Sequence, residues 1–551
     1  MINLQEIESE IKDILNGYMK IPSFSQSKDE KEAVDYVIKI LKKEPYFKQN
    51  PDQLGSYRIF RDPLERKVGY ALVLPTEGRD LDKPIKTVCL LHHCDVVGIE
   101  DYGTLGEDAF DGEKVEQYLL EEWEENKENE LIRDLKSGEY LFGRGSCDMK
   151  GGGAVQIAIT ARYSREKFRP GALLLLCVPD EENLSAGMRG GMPLLSELRK
   201  KYCLDYRMMI NSEPNQHVIS EGSIGKMMPF LYVDGVVSHV GSIFQGANPV
   251  NILSKIVEKI DMSMEFCEQD GDEVTPPPTW LFAKDRKKTY DVSIPKAACG
   301  CFNLLTFSME PKEVIKRLEK ISIRCMEDFY KERRTAFARY EKMGGTGKLM
   351  EWEPSILSFG GLFEEVRKSQ NDSRRFQKLW EKKLEEIREE LGKGESNLIE
   401  ETFSAVEYLL EQWKENVPKI IYGLIPPYYP SVSNRRNEGL TKVQKEAGKE
   451  TAERMGYRLE QYFKGISDLS YTSLENPLDM DRILKETMPF YPNLYQIPVK
   501  EMGENQMPCL NIGPLGKDLH QRTERVWKKD LYENLAKGIG ETIEKLWADP
   551  E

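Results

Sequence analysis

Five side chains, His93, Asp148, Glu182, Glu213 and His520, are of the types that hold divalent cations. The chain has only five histidines, and His93 and His520 both fall in segments rich in glycine, proline and carboxylates. Imidazole and carboxylate together suit zinc, whose catalytic sites keep one position open for water. They also accept cobalt or manganese. Five ligands serve two ions if Asp148 bridges them, with His93 and Glu213 on one side and Glu182 and His520 on the other. Two such ions polarise a carbonyl and lower the pKa of a water toward about 7.

Two more carboxylates fit that chemistry. Glu181 directly precedes a ligand and is placed to take a proton from the attacking water and pass it to a leaving nitrogen, a role that contributes about 10²–10⁴ in rate. Asp95 lies two residues beyond His93, so in extended backbone both side chains face one way, and Asp95 can orient the imidazole. Most Glu-Glu pairs sit on solvated helix faces. Here Leu173-Leu174-Leu175-Leu176-Cys177-Val178 precedes the pair and predicts a buried strand end instead. Cys94 and Cys147, each beside an aspartate of the set, are expected to be packing thiols, as are Cys299 and Cys301.

The elements that must position these residues follow a pattern. Thr87–Leu91, Ala172–Val178, Tyr206–Ile210 and Cys509–Ile512 are apolar runs that read as buried strands, and each leads into candidate ligands. Open α/β sheets bind ligands beyond the carboxyl ends of their strands. Gly143 to Gly153 reads as a glycine-rich turn entering a helix, with Asp148 inside it. The fold class expected is α/β, a mixed sheet with flanking helices, interrupted by an α+β unit and a helical insertion. The boundaries read as 1–222 for the first part of the catalytic domain, 223–335 for the inserted unit, 336–415 for a charged insertion and 416–551 for the second part, with the catalytic sheet resuming near Lys419–Ile425. Apolar residues at Phe376, Trp380, Leu384, Ile387 and Leu391, then Phe403, Val406, Leu410 and Trp413, predict a helical hairpin broken at Gly392-Lys393-Gly394. The stretch 106–139, with its acidic cluster Glu121–Glu130, reads as an exposed helical insertion without chemistry.

A length of 551 residues implies several domains. A composition of 40% hydrophobic and 31% charged residues fits a folded globular chain. The net charge of −15 argues against nucleic-acid binding, which needs clustered basic residues. The N-terminus lacks a basic region followed by an apolar one, and the longest apolar run, Ala172–Val178, is too short to cross a bilayer. Ten widely spaced cysteines read as reduced thiols, so a cytoplasmic location and no membrane partner are expected.

Taken in order, His93-Cys94-Asp95-Val96-Val97, Gly143-Arg144-Gly145 through Gly151, Asp180-Glu181-Glu182, Ser212-Glu213-Pro214 and Gly513-Pro514 through His520 resemble the zinc aminoacylase/carboxypeptidase family, which includes acetylornithine deacetylase and succinyl-diaminopimelate desuccinylase. The resemblance implies a zinc-peptidase-like sheet, two metal ions and a lid domain that mediates homodimerisation. It also implies that His239, within Ser238-His239-Val240-Gly241, steadies the tetrahedral oxyanion in the partner's site. Within the family, Gly465–Tyr471 and His520–Val526 look most like the RocB-type arginine-utilisation proteins. The function implied is hydrolysis of an amide bond in a small amino-acid-derived substrate. Two alternatives stand beside it: a metal-binding regulatory or scaffold protein with the same fold, and a two-metal phosphoesterase, for which only Arg144 and Lys150 lie near enough to clamp phosphate.

Overall fold

The computed structural model describes residues 2–4, 6–76, 83–123, 130–394, 396–413 and 415–550. They form two compact units: Met1–Ile224 with Val432–Glu475 and Lys500–Glu551, and Gly225–Ser431 with Asn476–Val499.

The first unit is built on an eight-stranded sheet. Its strands are β1 (Leu54–Arg58), β2 (Lys67–Val73), β3 (Ile85–His93), β4 (Ala172–Val178), β5 (Leu204–Asn211), β6 (Val218–Ser220), β7 (Arg458–Glu460) and β8 (Cys509–Asn511), in the spatial order β1-β2-β4-β3-β5-β8-β6-β7. The four strands predicted from apolar runs are the four adjacent parallel ones, β4-β3-β5-β8, with Leu91 opposite both Leu176 and Asn211, and Ile210 opposite Leu510. All seven residues of β4 are buried, as expected of a parallel strand covered on both faces. The sheet is mixed because β1 and β2 join antiparallel at one edge and β6 pairs antiparallel with β8 near the other.

Helix Lys150–Arg165 lies almost wholly buried against this sheet. Its glycines allow the close approach. A Cβ on Gly152 would sit 2.3 Å from the Ser212 carbonyl, and one on Gly153 would sit 2.7 Å from the His92 ring. The Gln156 amide then reaches Leu91 O at 2.9 Å, Ile210 O at 3.2 Å and Ser212 Oγ at 2.8 Å, tying the ends of β3 and β5 to one helix.

The insertion after β3 is not the exposed segment expected. Short 3₁₀ turns between Glu100 and Phe110 and helices Gly112–Trp123 and Glu130–Ser137 bury Tyr102, Ala109, Val115, Leu119, Leu131, Ile132 and Leu135 with Phe142 in a small core of their own. The apolar positions are few and widely spaced among acidic ones, which is why the charge dominates in the sequence. Residues 124–129 of its acidic cluster lie outside the described residues.

The second unit carries a five-stranded sheet in the order Thr279–Asp285, Ala297–Thr306, Gly225–Asp234, Lys419–Tyr429, Ser355–Ser358. Lys419–Tyr429 therefore does not resume the catalytic sheet. It pairs antiparallel with Gly225–Asp234, Ile421 opposite Tyr232, and the chain returns to the first unit only at Val432. A continuous apolar run suits the interior of either sheet, so the sequence alone could not choose between them. The helical hairpin is present as Ser373–Lys393 and Leu398–Gln412, burying Phe376, Trp380, Leu384, Ile387, Phe403 and Val406. Asp372 and Asn397 cap the two N-termini, and Gly394, at φ 71°, ends the first helix.

Candidate functional site

The carboxyl ends of the four parallel strands converge. His93 is the last residue of β3, Glu181 and Glu182 follow β4 through a turn in which Asp180 adopts φ 68°, and Glu213 follows β5. After β8 the chain forms a hairpin, Gly516–Lys517 against Arg525–Trp527, and His520 stands in its loop with φ 62°. Non-glycine residues rarely take this left-handed conformation, which persists only where the surrounding structure holds it. Asp148 lies in the turn between the strand Tyr140–Phe142 and helix Lys150–Arg165.

Asp148 reaches both histidines. Its Oδ1 is 3.1 Å from His93 Nε2 and its Oδ2 is 3.1 Å from His520 Nε2. On the His520 side, Glu182 Oε1 is also 3.1 Å from Nε2. On the His93 side, Glu213 Oε1 is 3.6 Å and Glu181 Oε2 3.9 Å from Nε2. Potential ligand atoms of His93, Asp148 and Glu182 lie within 4.8 Å of one another, and so do those of His93, Glu181 and Glu213. All six candidates for ligation or base chemistry in this unit are thus brought together. Asp95 holds the turn that carries two of them: its carboxylate accepts the Glu181 N–H at 3.1 Å and the Glu182 N–H at 3.2 Å. Its main-chain carbonyl is 3.1 Å from His93 Nδ1 and its Oδ1 is 3.5 Å away, so the Asp95 backbone and carboxylate both face the imidazole nitrogen that points away from the cluster.

The electrostatics of the cluster call for positive charge. Asp148, Glu181, Glu182 and Glu213 are nearly or wholly buried, and their ion-pair partners are two imidazoles. Glu181 Oε1 and Glu213 Oε1 are buried without a hydrogen-bond donor. Burial, reinforced by Glu213, pushes Glu181 well above the usual carboxylate range. Burial and the nearby Asp148 push Glu182 up to about 7, and burial raises Glu213. Burial alone would raise Asp148, but hydrogen bonds from His520 and His93 hold it well below its ordinary value. Those with Asp148 and Glu182 push His520 up to about 10. Burial opposes the charge on His93, yet Glu213, Asp148 and Asp95 hold it well above normal. A site that must otherwise collect protons fits divalent cations held by His93, Asp148, Glu182, Glu213 and His520.

Three residues given no role from the sequence support this geometry. Asn511, at the end of β8, accepts the Glu213 N–H at 2.9 Å and donates to the Glu213 carbonyl at 3.0 Å, fixing that backbone. Glu524, fully buried, accepts the N–H groups of Cys147 and Asp148 at 3.2 Å each and pairs with Arg144 at 2.6 Å. Asp468 is buried beside the site, where burial raises it to about 7 and its charge acts on Glu181. Arg144 and Glu524 were each visible inside the segments carrying the resemblance, but nothing in one sequence pairs residues so far apart. Replacing Glu524 with Ala would leave the buried Arg144 with Asp101 alone and strip the Cys147 and Asp148 N–H groups of their acceptor. We expect a loss of roughly 3–5 kcal/mol in urea unfolding, and an unchanged unfolding curve would contradict the role.

Arg144 and Lys150 are both committed to structure. Arg144 is spent on Glu524, and Lys150, fully buried, donates to the Ile21 carbonyl at 2.6 Å. Neither is free to clamp phosphate, which removes the basis for the phosphoesterase alternative. Cys94, Cys147, Cys299 and Cys301 are buried free thiols. His239 belongs to the second unit, where it is exposed and its Nδ1 accepts the Gly241 N–H at 3.0 Å.

Residues 121–545 match the model of peptidase family M20/M25/M40. The chain belongs to that family. It is 32% identical over 566 residues to the uncharacterized protein YqjN of Bacillus subtilis (strain 168), covering 99% of this chain and 98% of that one. Protein RocB of the same organism is 28% identical over 531 residues, 93% of this chain and 90% of its own. A tripeptidase from Staphylococcus aureus, 13% identical with a TM-score of 0.50 over the whole of both chains, shares the fold. As a member of family M20/M25/M40 the protein is a metal-dependent amidohydrolase of the peptidase type, which leaves the scaffold alternative without support. No described helix is long and apolar enough to cross a membrane.

Proposed function

We propose that this M20/M25/M40 member hydrolyses an amide bond, peptide or N-acyl, in a small amino-acid-derived substrate of arginine breakdown. The observation that carries the reading is Asp148 spanning His93 and His520 at 3.1 Å on each side. It supports two cations, zinc, cobalt or manganese: one held by His93, Asp148 and Glu213, the other by His520, Asp148 and Glu182. When bound, such a pair polarises the scissile carbonyl and makes a water acidic enough to attack at neutral pH.

The chain's own groups do the rest. Assigning Glu213 and Glu182 to the two sides leaves Glu181 free to act as base. Its carboxylate takes a proton from the attacking water as the new C–O bond forms. It then delivers that proton to the departing nitrogen as the C–N bond breaks, giving a carboxylic acid and an amine. Asp95 keeps His93 and the Glu181-Glu182 turn in place. In the second unit, which we take to be a lid mediating a homodimer, His239 serves as the oxyanion donor. Its Nδ1 already accepts the Gly241 N–H, so its Nε2 carries the proton to donate. The ten free cysteines fit a reducing, cytoplasmic setting. The arginine-derived substrate class is supported by the likeness to RocB-type proteins.

The test is to incubate metal-loaded protein with acylated, carbamoylated and peptidic derivatives of arginine, ornithine, citrulline and proline, following released amine by mass spectrometry. Release from one compound class is expected. No release from any, with both ions bound, would overturn the reading.

Removing the ions exposes the electrostatic cost of the cluster. The folded-state pKa values of Glu181, Glu182, Glu213, His93 and His520 are all raised above their unfolded ones. Their stabilising effect is therefore complete at low pH and fades as pH rises, through about 7 for Glu182 and about 10 for His520. Chelated protein should lose melting temperature relative to loaded protein increasingly between pH 5 and about 9. A gap that does not widen with pH would contradict this.

A further inference from the structure

His520 stands in the loop 518–524, and the neck of that loop presents an electrostatic problem. Lys517 and Arg525 are direct partners across the antiparallel hairpin, and like charges directly opposite each other destabilise a pair of strands. Arg525 is buried as well, its side chain 3% exposed between the rings of Tyr140 and Phe142, so its charge cannot be left to water. The insertion supplies most of the answer. Asp134, on helix Glu130–Ser137, places one carboxylate oxygen 2.8 Å from Lys517 Nζ and 2.8 Å from Arg525 Nε, and Arg525 pairs through Nη1 with Asp518 at the start of the loop as well. Glu130 on the same helix takes Lys517 at 2.7 Å. Glu122, at the end of the preceding helix, meets both terminal nitrogens of Arg522 at 3.0 Å, two residues beyond His520. At the other end of the insertion, Asp101 is 3.2 Å from Arg144, the partner of the Glu524 carboxylate that holds the Asp148 turn.

We infer that residues 100–123 and 130–137 form a brace for the site: Asp134 bridges the two cations at the neck of the His520 loop and so sets where His520 stands. Asp134 is a positioning residue, acting through Lys517 and Arg525 and touching no ligand itself. The inference rests on the two-cation reading of the site. Positioning groups of this kind typically change metal affinity by about 10–100-fold. The weakening should fall on the ion that needs His520 and spare the one held by His93 and Glu213.

The experiment is titration of the metal-free full chain with Co²⁺, followed by visible absorption and calorimetry, with His520→Ala marking the event that depends on that histidine. In Asp134→Ala the same event is expected to weaken about 10-fold or more, with the other event unchanged. Because Asp134→Ala leaves two facing cations with only Glu130 and Asp518 to offset them and could fail to fold, Asp134→Ala/Lys517→Met is the second variant. Removing one cation should restore much of the lost affinity. Wild-type affinity for both ions in folded Asp134→Ala would overturn the brace, as would equal weakening of both events or no recovery in the double variant. A wild-type chain that binds no Co²⁺ would sink the cation centre itself and the brace with it, an outcome separable from the others.

Discussion

Substituting Gln for Glu181 should lower turnover by about 10²–10⁴, the usual contribution of a positioned general base, while both ions remain bound. The size of the loss follows from what the amide cannot do. It keeps the volume and the Glu181 N–H bond to Asp95 but has no lone pair basic enough to take a proton from water. Glu182 does not substitute, because its Oε1 is engaged with His520 at 3.1 Å. The discriminating result is the pairing of two measurements, metal content by elemental analysis and kcat with the substrate found in the panel. Full activity would remove Glu181 from the base role. A loss of one ion together with activity would make Glu181 a ligand, which its 3.9 Å approach to His93 Nε2 also permits geometrically.

A second large effect is expected at Asp148. Its two oxygens face different histidines, so Asp148→Ala removes a ligand from both sides at once. It also takes away the carboxylate that most strongly stabilises the charge on His520. Bound metal should fall from two equivalents to less than one, and activity should fall below detection. His520→Ala, by contrast, should lose one ion and leave the His93 side filled. If Asp148→Ala kept one tightly bound ion, the carboxylate would serve a single side and the shared arrangement would be wrong.

Much of the site was legible in the sequence because His93, Glu181-Glu182 and Glu213 follow apolar runs. Once Ala172–Val178 and Thr87–Leu91 are recognised as strands with the same polarity, His93 and Glu181-Glu182 must emerge at one edge, and the parallel pairing of β3 with β4 and β5 delivers that. The hairpin between 373 and 412 was legible for a similar reason, since a 3–4 repeat of apolar residues dictates one buried helical face. What stayed hidden depends on pairing across long distances. The run Lys419–Tyr429 carries no mark of which sheet it joins. Glu524 and Asn511 are single polar residues whose partners are backbone groups hundreds of positions away. Asp134 fell within a stretch that read as an exposed helical insertion because Lys517 and Arg525, which bury it, lie more than 380 residues further along the chain.

The most direct test of the whole account is an anomalous difference map from crystals grown with zinc. Two peaks are expected, one beside His93 and Glu213 and one beside His520 and Glu182, with an oxygen of Asp148 in the coordination shell of each. Zinc absent from this pocket, or bound there without Asp148, would contradict it.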